Sequence, residues 1–185
     1  MMIPLYTPDL LLLPASGALA GAAADYYARN RTFLQPFDPA HAPSFYTAEG
    51  QRPLLEADAE AARLDRGYRF LILRQEAPEQ VIGTIALSGV VRGAFHSAFV
   101  GYKLDAAWQG RGYMTQALLA VTGFAFGALN LHRLEVNVMP RNPASQRVAE
   151  KAGFVREGLS PQYLYIGGVW EDHLHFVRLN PDWRP

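Results

Sequence analysis

The chain has 185 residues, no cysteine, and 17 basic against 17 acidic side chains, for a formal net charge of zero. That length suits one domain, residues 1–185, able to bury about two-thirds of its unfolded surface without a covalent staple. The composition excludes disulfides, thiolate nucleophiles and Cys-ligated zinc, accords with a cytoplasmic location, and argues against direct nucleic-acid binding through a broad basic face.

The opening stretch 1–13 is apolar but lacks a basic leader and contains Pro4, Pro8 and Asp9, so it reads as a first strand and not as a signal peptide. No run approaches the ~20 apolar residues of a membrane span. Leu10–Leu13 is an apolar run suited to an outer strand, and the alanine-rich segment Ala18–Asn30 predicts a helix. Residues 31–50 carry Pro36, Pro39 and Pro43 among aromatics, which breaks regular structure and predicts a long functional loop. An amphipathic helix resumes over Leu54–Arg66, solvent-lined and ended by Gly67. Tyr68–Arg74 and Val81–Val91 predict antiparallel strands about a turn containing Pro78, with Arg92-Gly93 as the next reversal. Ala94–Leu104 predicts a central strand in which Ala98, Val100, Tyr102 and Leu104 alternate, and Gly101 within it marks a bulge or a close approach by backbone or ligand.

A helix over Tyr113–Leu129 would present Met114, Ala117, Leu118, Val121, Ala125 and Ala128 to the sheet. Leu131–Met139 predicts a strand. Asn142 then caps a helix with Pro143 at its first position and Gly153 at its end. Phe154–Ile166 and Val169–Leu179 predict strands joined by Gly167-Gly168, a pair that tolerates the positive φ of a two-residue hairpin. The order describes an α/β (mixed α+β) domain with a mostly antiparallel twisted sheet of about seven strands, about four helices, and one parallel crossover from Ala98 to Val138.

Between that crossover's first strand and its helix lies Trp108-Gln109-Gly110-Arg111-Gly112-Tyr113-Met114-Thr115. Glycines there let backbone N–H groups turn toward an anion, and the helix N-terminus adds a favourable dipole, so the segment reads as a phosphate cradle. The same residues also describe a plain tight turn. The chain has neither G-x-x-x-x-G-K-[ST] nor G-x-G-x-x-G followed by an acid about 20 residues on, which excludes the P-loop and the dinucleotide fingerprint.

Gln109-Gly110-Arg111-Gly112-Tyr113-Met114 resembles the Q/R-x-x-G-x-G/A signature of the GCN5-related N-acetyltransferase (GNAT) family, with Met in the last position. Asn137–Ser145, continuing to Glu150–Phe154, resembles the family's N-x-x-S…GF segment. Val90–Gly93, Gly101-Tyr102, His132-Arg133, Met139-Pro140 and Pro181–Trp183 are similar to the RimJ/RimL branch of ribosomal-protein-alanine N-acetyltransferases, and the likeness spans nearly the whole chain. The resemblance implies an acetyl-CoA site: the pyrophosphate on main-chain N–H groups from Gln109 through Gly110, Arg111, Gly112, Tyr113 and Met114 to Thr115, and the pantetheine arm along Tyr102, Lys103 and Leu104 between two splayed strands. Asn142 serves as N-cap and as a polar contact to that arm. It implies no metal.

Acetyl transfer requires a neutral amine, a polarised thioester carbonyl, and a proton for the leaving thiolate. Ser145 shares a helical face with Val148, Ala149 and Ala152; it either positions or protonates the thiol, as the resemblance implies, or satisfies helix-end N–H groups. The tyrosine that many relatives carry one turn later is here Ala149. Glu135, sharing a face with Arg133 and Asn137, is the candidate general base, or else a surface partner of Arg133 or Arg147. The acid credited to RimL-like enzymes in the penultimate strand is here Leu164. His173 and His175 share one strand face near Asp172, but without a convincing third ligand they read as packing or surface residues before metal ligands. Tyr163 and Tyr165 pack the sheet or line the acceptor groove, whose walls are residues 31–50 and the Gly167-Gly168 hairpin. The resulting expectation is transfer of acetyl to a protein N-terminus, possibly of a ribosomal protein, by a monomer or homodimer. A small-amine acceptor and a CoA-binding sensor without turnover are the alternatives.

Overall fold

The computed structural model describes residues 2–185, so Met1, at the head of the expected first strand and domain, lies outside it. Eight strands form one sheet: β1 (Leu5–Tyr6), β2 (Leu10–Pro14), β3 (Gly67–Arg74), β4 (Ala77–Val91), β5 (Ser97–Leu104), β6 (Arg133–Val138), β7 (Val155–Ile166) and β8 (Val169–Leu179). Their spatial order is β1-β2-β3-β4-β5-β6-β8-β7, and β5 with β6 is the parallel pair among antiparallel neighbours. Five helices accompany them: α1 (Ala20–Arg29), α2 (Arg31–Leu34), α3 (Ala48–Arg63), α4 (Tyr113–Gly127) and α5 (Pro143–Lys151). The strand and the helix beyond the expected numbers are β1, of two residues, and α2, of four; neither is long enough to show a periodicity.

Alternation along the strands divides the core into two layers. On one sheet face Leu12, Phe70, Ile85, Val100, Leu134 and Phe176 pack with Met114, Ala117, Leu118 and Val121 of α4 and Ala149 of α5. Leu71, Leu73 and Val81 on the other face pack with Ala20, Ala23, Tyr26 and Tyr27 of α1 and Leu55 of α3. Helices α1 and α3 lie over β3 and β4, leaving Phe99 on β5 exposed on that face.

Several local expectations are corrected. Helix α3 begins at Ala48, not Leu54, and contains Pro53. An interior proline costs about 3 kcal/mol, but here the first turn is held by Thr47, whose hydroxyl accepts from Gly50 N at 3.1 Å, and by buried Gln51, which donates to Phe45 O at 2.6 Å. Gly67 does not end α3: Asp65 takes the left-handed turn at φ 55°, Arg66 N bonds to Ala61 O, and Gly67 starts β3. Pro78 lies within β4, in the irregular register between the Arg74↔Ala77 and Leu73↔Val81 pairs, where a missing N–H is tolerated. Gly101 is no bulge, since Ala86 opposes it in unbroken register; the irregularity in this pairing falls between Ser88 and Val91. Ala128 is the exposed C-cap of α4, and buried Thr122 joins the inward stripe instead. The segment 31–50 is α2 followed by short 3-10 turns at Gln35–Phe37 and Pro43–Tyr46, with α3 already begun.

At the end of β5, buried Asp105 accepts from Arg29 Nε at 2.8 Å, Asn30 Nδ2 at 2.9 Å and Ala107 N at 2.9 Å. Burial raises its pKa, but the bonds from Asn30, Ala107 and Arg29 outweigh this and hold the carboxyl below the usual range. Asp105→Ala leaves buried donors without an acceptor and is expected to lower stability by about 3 kcal/mol near neutral pH, measured by denaturant unfolding. A depressed folded pKa stabilises fully above the unfolded value of ~4 and loses that contribution as pH falls through the folded value, so the gap between wild type and variant should narrow as the pH is lowered below ~4.

Candidate active site

The parallel pair is short. Ser97, Ala98 and Phe99 pair with Arg133, Leu134 and Glu135, and beyond Phe99 and Glu135 the two strands are no longer paired. A cleft of about 680 Å³ opens at this divergence, lined by Tyr102, Lys103 and Leu104 of β5, by Gln109, Gly110 and Gly112–Thr115, and by Asn142–Ser145 at the start of α5. Phe33, Leu34 and Phe37 border it from the α1–α3 connection.

The cradle follows from its residues. Gly110 and Gly112 stand at φ 74° and 79°, the left-handed region that disfavours side chains, and Gly112 is the N-cap of α4 with no side chain to satisfy the helix's first N–H groups. A Cβ at either glycine would meet no atom within 4 Å, so conformation and not crowding calls for glycine. The Arg111 guanidinium lies 4.7 Å from the Trp108 ring centroid, turned onto that ring, so what Arg111 offers in the loop is its main chain. The cations that line the cleft are Lys103, Arg141, Arg147 and Lys151. Arg147 and Lys151 stand one turn apart on α5, a spacing that puts them on one helix face, but they lie outside the glycine motif and so the motif does not point to them.

Asn142 caps α5 as expected, accepting from Ser145 N at 3.1 Å while lining the cleft. The Ser145 hydroxyl is therefore free of capping; it donates to Tyr102 Oη at 3.0 Å, and Tyr102 in turn donates to the Ser145 carbonyl at 3.1 Å. Burial pushes the Tyr102 phenol up to about 12, against the lowering effect of the Ser145 bond, so the phenol stays protonated at neutral pH. A tyrosine hydroxyl thus reaches Ser145 from β5, while fully buried Ala149 fills the position one turn along α5. Lys103 pairs with Asp38 at 2.6 Å, and Arg141 bonds to Glu171 at 2.7 Å and to Pro36 O at 2.8 Å, fastening the α1–α3 connection to the sheet.

Glu135 lies outside this cleft. Its Oε2 accepts from Arg133 at 2.9 Å and its Oε1 lies 2.9 Å from His175 Nδ1; Arg147 is not its partner. His175 Nε2 is 2.7 Å from Ser160 Oγ, which occupies both ring nitrogens, and His173 Nδ1 meets Glu171 O at 3.0 Å. Among the described residues no group of three or more His, Asp or Glu could hold a metal. Tyr163 stands edge-on to His175 at 4.9 Å, while Tyr165 is exposed beside Trp170. Leu164 is exposed opposite Glu171.

These features, a glycine cradle at a helix start and a cleft between parting parallel strands, define a class that comparison with known proteins names. The acetyltransferase (GNAT) domain family matches residues 10–155, and the chain belongs to that family. It is 45% identical over 153 residues to the probable N-acetyltransferase YjcK of Bacillus subtilis, covering 83% of this chain and 84% of that protein. The structure of the ribosomal-protein-S5-alanine acetyltransferase from Vibrio fischeri superposes with a TM-score of 0.94 at 34% identity over the whole of both chains. Mycobacterium smegmatis RimJ, solved with a CoA disulfide, superposes with a TM-score of 0.89 at 27% identity, covering 99% of this chain and 88% of that one. The protein is accordingly an N-acetyltransferase of the GNAT type with acetyl-CoA as its donor.

Gly112→Val forces a β-branched residue into left-handed backbone and should weaken CoA binding about tenfold or more, measured by isothermal titration. Arg111→Ala, which removes only a guanidinium stacked on Trp108, should change it less than threefold on the same scale.

Proposed function

We propose that this enzyme transfers acetyl to the N-terminal α-amino group of a protein, with an alanine-initial ribosomal-protein N-terminus as the acceptor. The observation that carries the reading is the two-sided divergence of β5 and β6: a donor cleft opens on the α4–α5 side, and the opposite sheet face beside Glu135 and Asn137 has no cover from α1 or α3 over the neighbouring Phe99. The likeness to the Vibrio fischeri S5-alanine enzyme supports the choice of acceptor. An α-amino group has an ordinary pKa near ~8, against ~10.4 for a lysine, so it asks less of a base.

Acetyl-CoA supplies an activated acetyl thioester. The chain's residues suit it: the N–H groups of residues 109–115 and the α4 N-terminus face anionic phosphate, with Arg147 and Lys151 as counter-charges, and the unpaired edge of β5 at Tyr102–Leu104 offers main-chain bonds to an amide-bearing arm. Asn142 adds a polar rim. Ser145 Oγ and Tyr102 Oη hold a proton at the head of the cleft, where the departing sulfur needs one. Glu135 serves the acceptor side, where Arg133 donates to its carboxylate.

A screen of acetyl transfer to alanine-initial peptides, internal-lysine peptides and small amines tests the proposal; turnover is expected with the first alone. Preference for a small amine would replace the acceptor, and CoA binding without turnover on any amine would make the protein a sensor. Ser145→Ala and Tyr102→Phe should each lower kcat on the order of tenfold to a hundredfold while the Kd for acetyl-CoA stays within about threefold. Unchanged kcat in both removes the pair from the mechanism.

A further inference from the structure

Gly101 is a glycine that the fold does not require. Ala86 opposes it in unbroken register, its backbone lies outside the left-handed region, and a Cβ there would meet no atom within 4 Å. Gly83 on the neighbouring strand shows the contrasting case, since a Cβ there would stand 2.6 Å from Lys103 O. A glycine inside a strand costs about 0.5–1 kcal/mol relative to alanine. An exposed one with room for a side chain therefore needs a cause outside the fold, such as a ligand that must come close.

Its place in the sheet supplies that cause. Alternation along β5 puts Phe99, Gly101 and Lys103 on one face and Val100 and Tyr102 on the other. Pairing with β6 stops after Phe99, so Gly101 is the first residue on its face beyond the last pair. The cleft is walled from both faces at this point. Tyr102, Ser145 and Val148 line it from the α5 side; Lys103, tied to Asp38 of the α1–α3 connection at 2.6 Å, lines it together with Leu34 and Phe37 of that connection. Gly101 thus adjoins two lining residues, Tyr102 in the chain and Lys103 on its own face, and on its other side Phe99 is exposed.

We propose that Gly101 is the aperture through which the acceptor amine reaches the acetyl thioester, kept open by the absence of a side chain. The inference rests on the proposed donor placement and on the proposed acetylation of an amine. A donor with its phosphates in the 109–115 cradle and its arm running back along Leu104, Lys103 and Tyr102 presents its thioester level with Tyr102, beside the Tyr102–Ser145 hydroxyl pair. That pair occupies the α5 face at this level, which leaves the Gly101 face for the amine. The neutral nitrogen forms a C–N bond to the acetyl carbon, and the C–S bond breaks with its electron pair leaving on sulfur. Sulfur takes a proton from the hydroxyl pair, and the proton lost from nitrogen returns through water to replenish it. A side chain at position 101 would stand across the approach of the amine, on the face away from the hydroxyl pair.

The chain has no cysteine, so Gly101→Cys places the sole thiol of the protein in the proposed aperture. Incubated with acetyl-CoA near pH ~8, that thiol should gain acetyl by thioester exchange, with CoA leaving as the free thiol. Intact mass should show this about tenfold or more faster than in Val91→Cys, an exposed site at the other end of the β4–β5 pair. Equal rates overturn the aperture. In the series Gly101→Ala, Gly101→Val and Gly101→Leu, kcat/KM for an alanine-initial hexapeptide should fall with side-chain size, on the order of a hundredfold at leucine. The Kd for acetyl-CoA should stay within about threefold, and thermal unfolding should show no loss of stability. Unchanged turnover in the valine and leucine variants, or a Kd that weakens in step with turnover, also overturns it. If the wild-type protein leaves the peptide untouched, the acceptor assignment is what fails, and the thiol exchange, which needs no amine, still decides the aperture.

Discussion

The structure turns on a parallel pairing that stops after three residues. Backbone amides in a sheet interior must find partners, and two strands that part in mid-sheet leave a row of them facing a gap. In this chain the gap lies between Val100–Leu104 and Val136–Val138, with the glycine cradle at one mouth and the start of α5 at another. A hydroxyl pair, Tyr102 and Ser145, lies on the face toward α4 and α5, and the carboxylate of Glu135 lies on the reverse face. A sheet in full register would have sealed the two faces from each other.

Charge is divided in the same way. The chain is neutral overall, yet Arg147 and Lys151 stand in the donor cleft. On the reverse face Glu135 and Glu157 share the single guanidinium of Arg133. A neutral total therefore conceals a basic lining on one side and a pair of acids on the other, and net charge alone discloses neither.

Much of this was legible from residues. Apolar runs bounded by turn residues located seven strands, Gly110 and Gly112 marked the glycine turn before α4, and Asn142-Pro143 located the start of α5, because each signal is local and carries its own composition or backbone requirement. The same local rules misplaced the start of α3, since they cannot know that a buried glutamine and a capped first turn offset an interior proline. Two features of the site were out of reach for a different reason. Tyr102 meets Ser145 across forty-three positions, and Glu135 meets His175 across forty, so both depend on which strands and helices lie side by side. Glu135 and His175 were each singled out; what sequence lacks is the β6–β8 register that makes them one group.

Asp105 holds together two parts of the molecule that border one cleft. Through Arg29 and Asn30 it grips the end of α1, which leads into the connection that borders the cleft, and through Ala107 it shapes the turn that enters the cradle. One carboxylate thus sets the spacing between the two walls. Grafting the segment 17–50 from a relative to alter acceptor preference would succeed only if the graft kept an arginine and an asparagine in register with that carboxylate, so recombination among these enzymes has a seam that does not follow the boundaries of their helices.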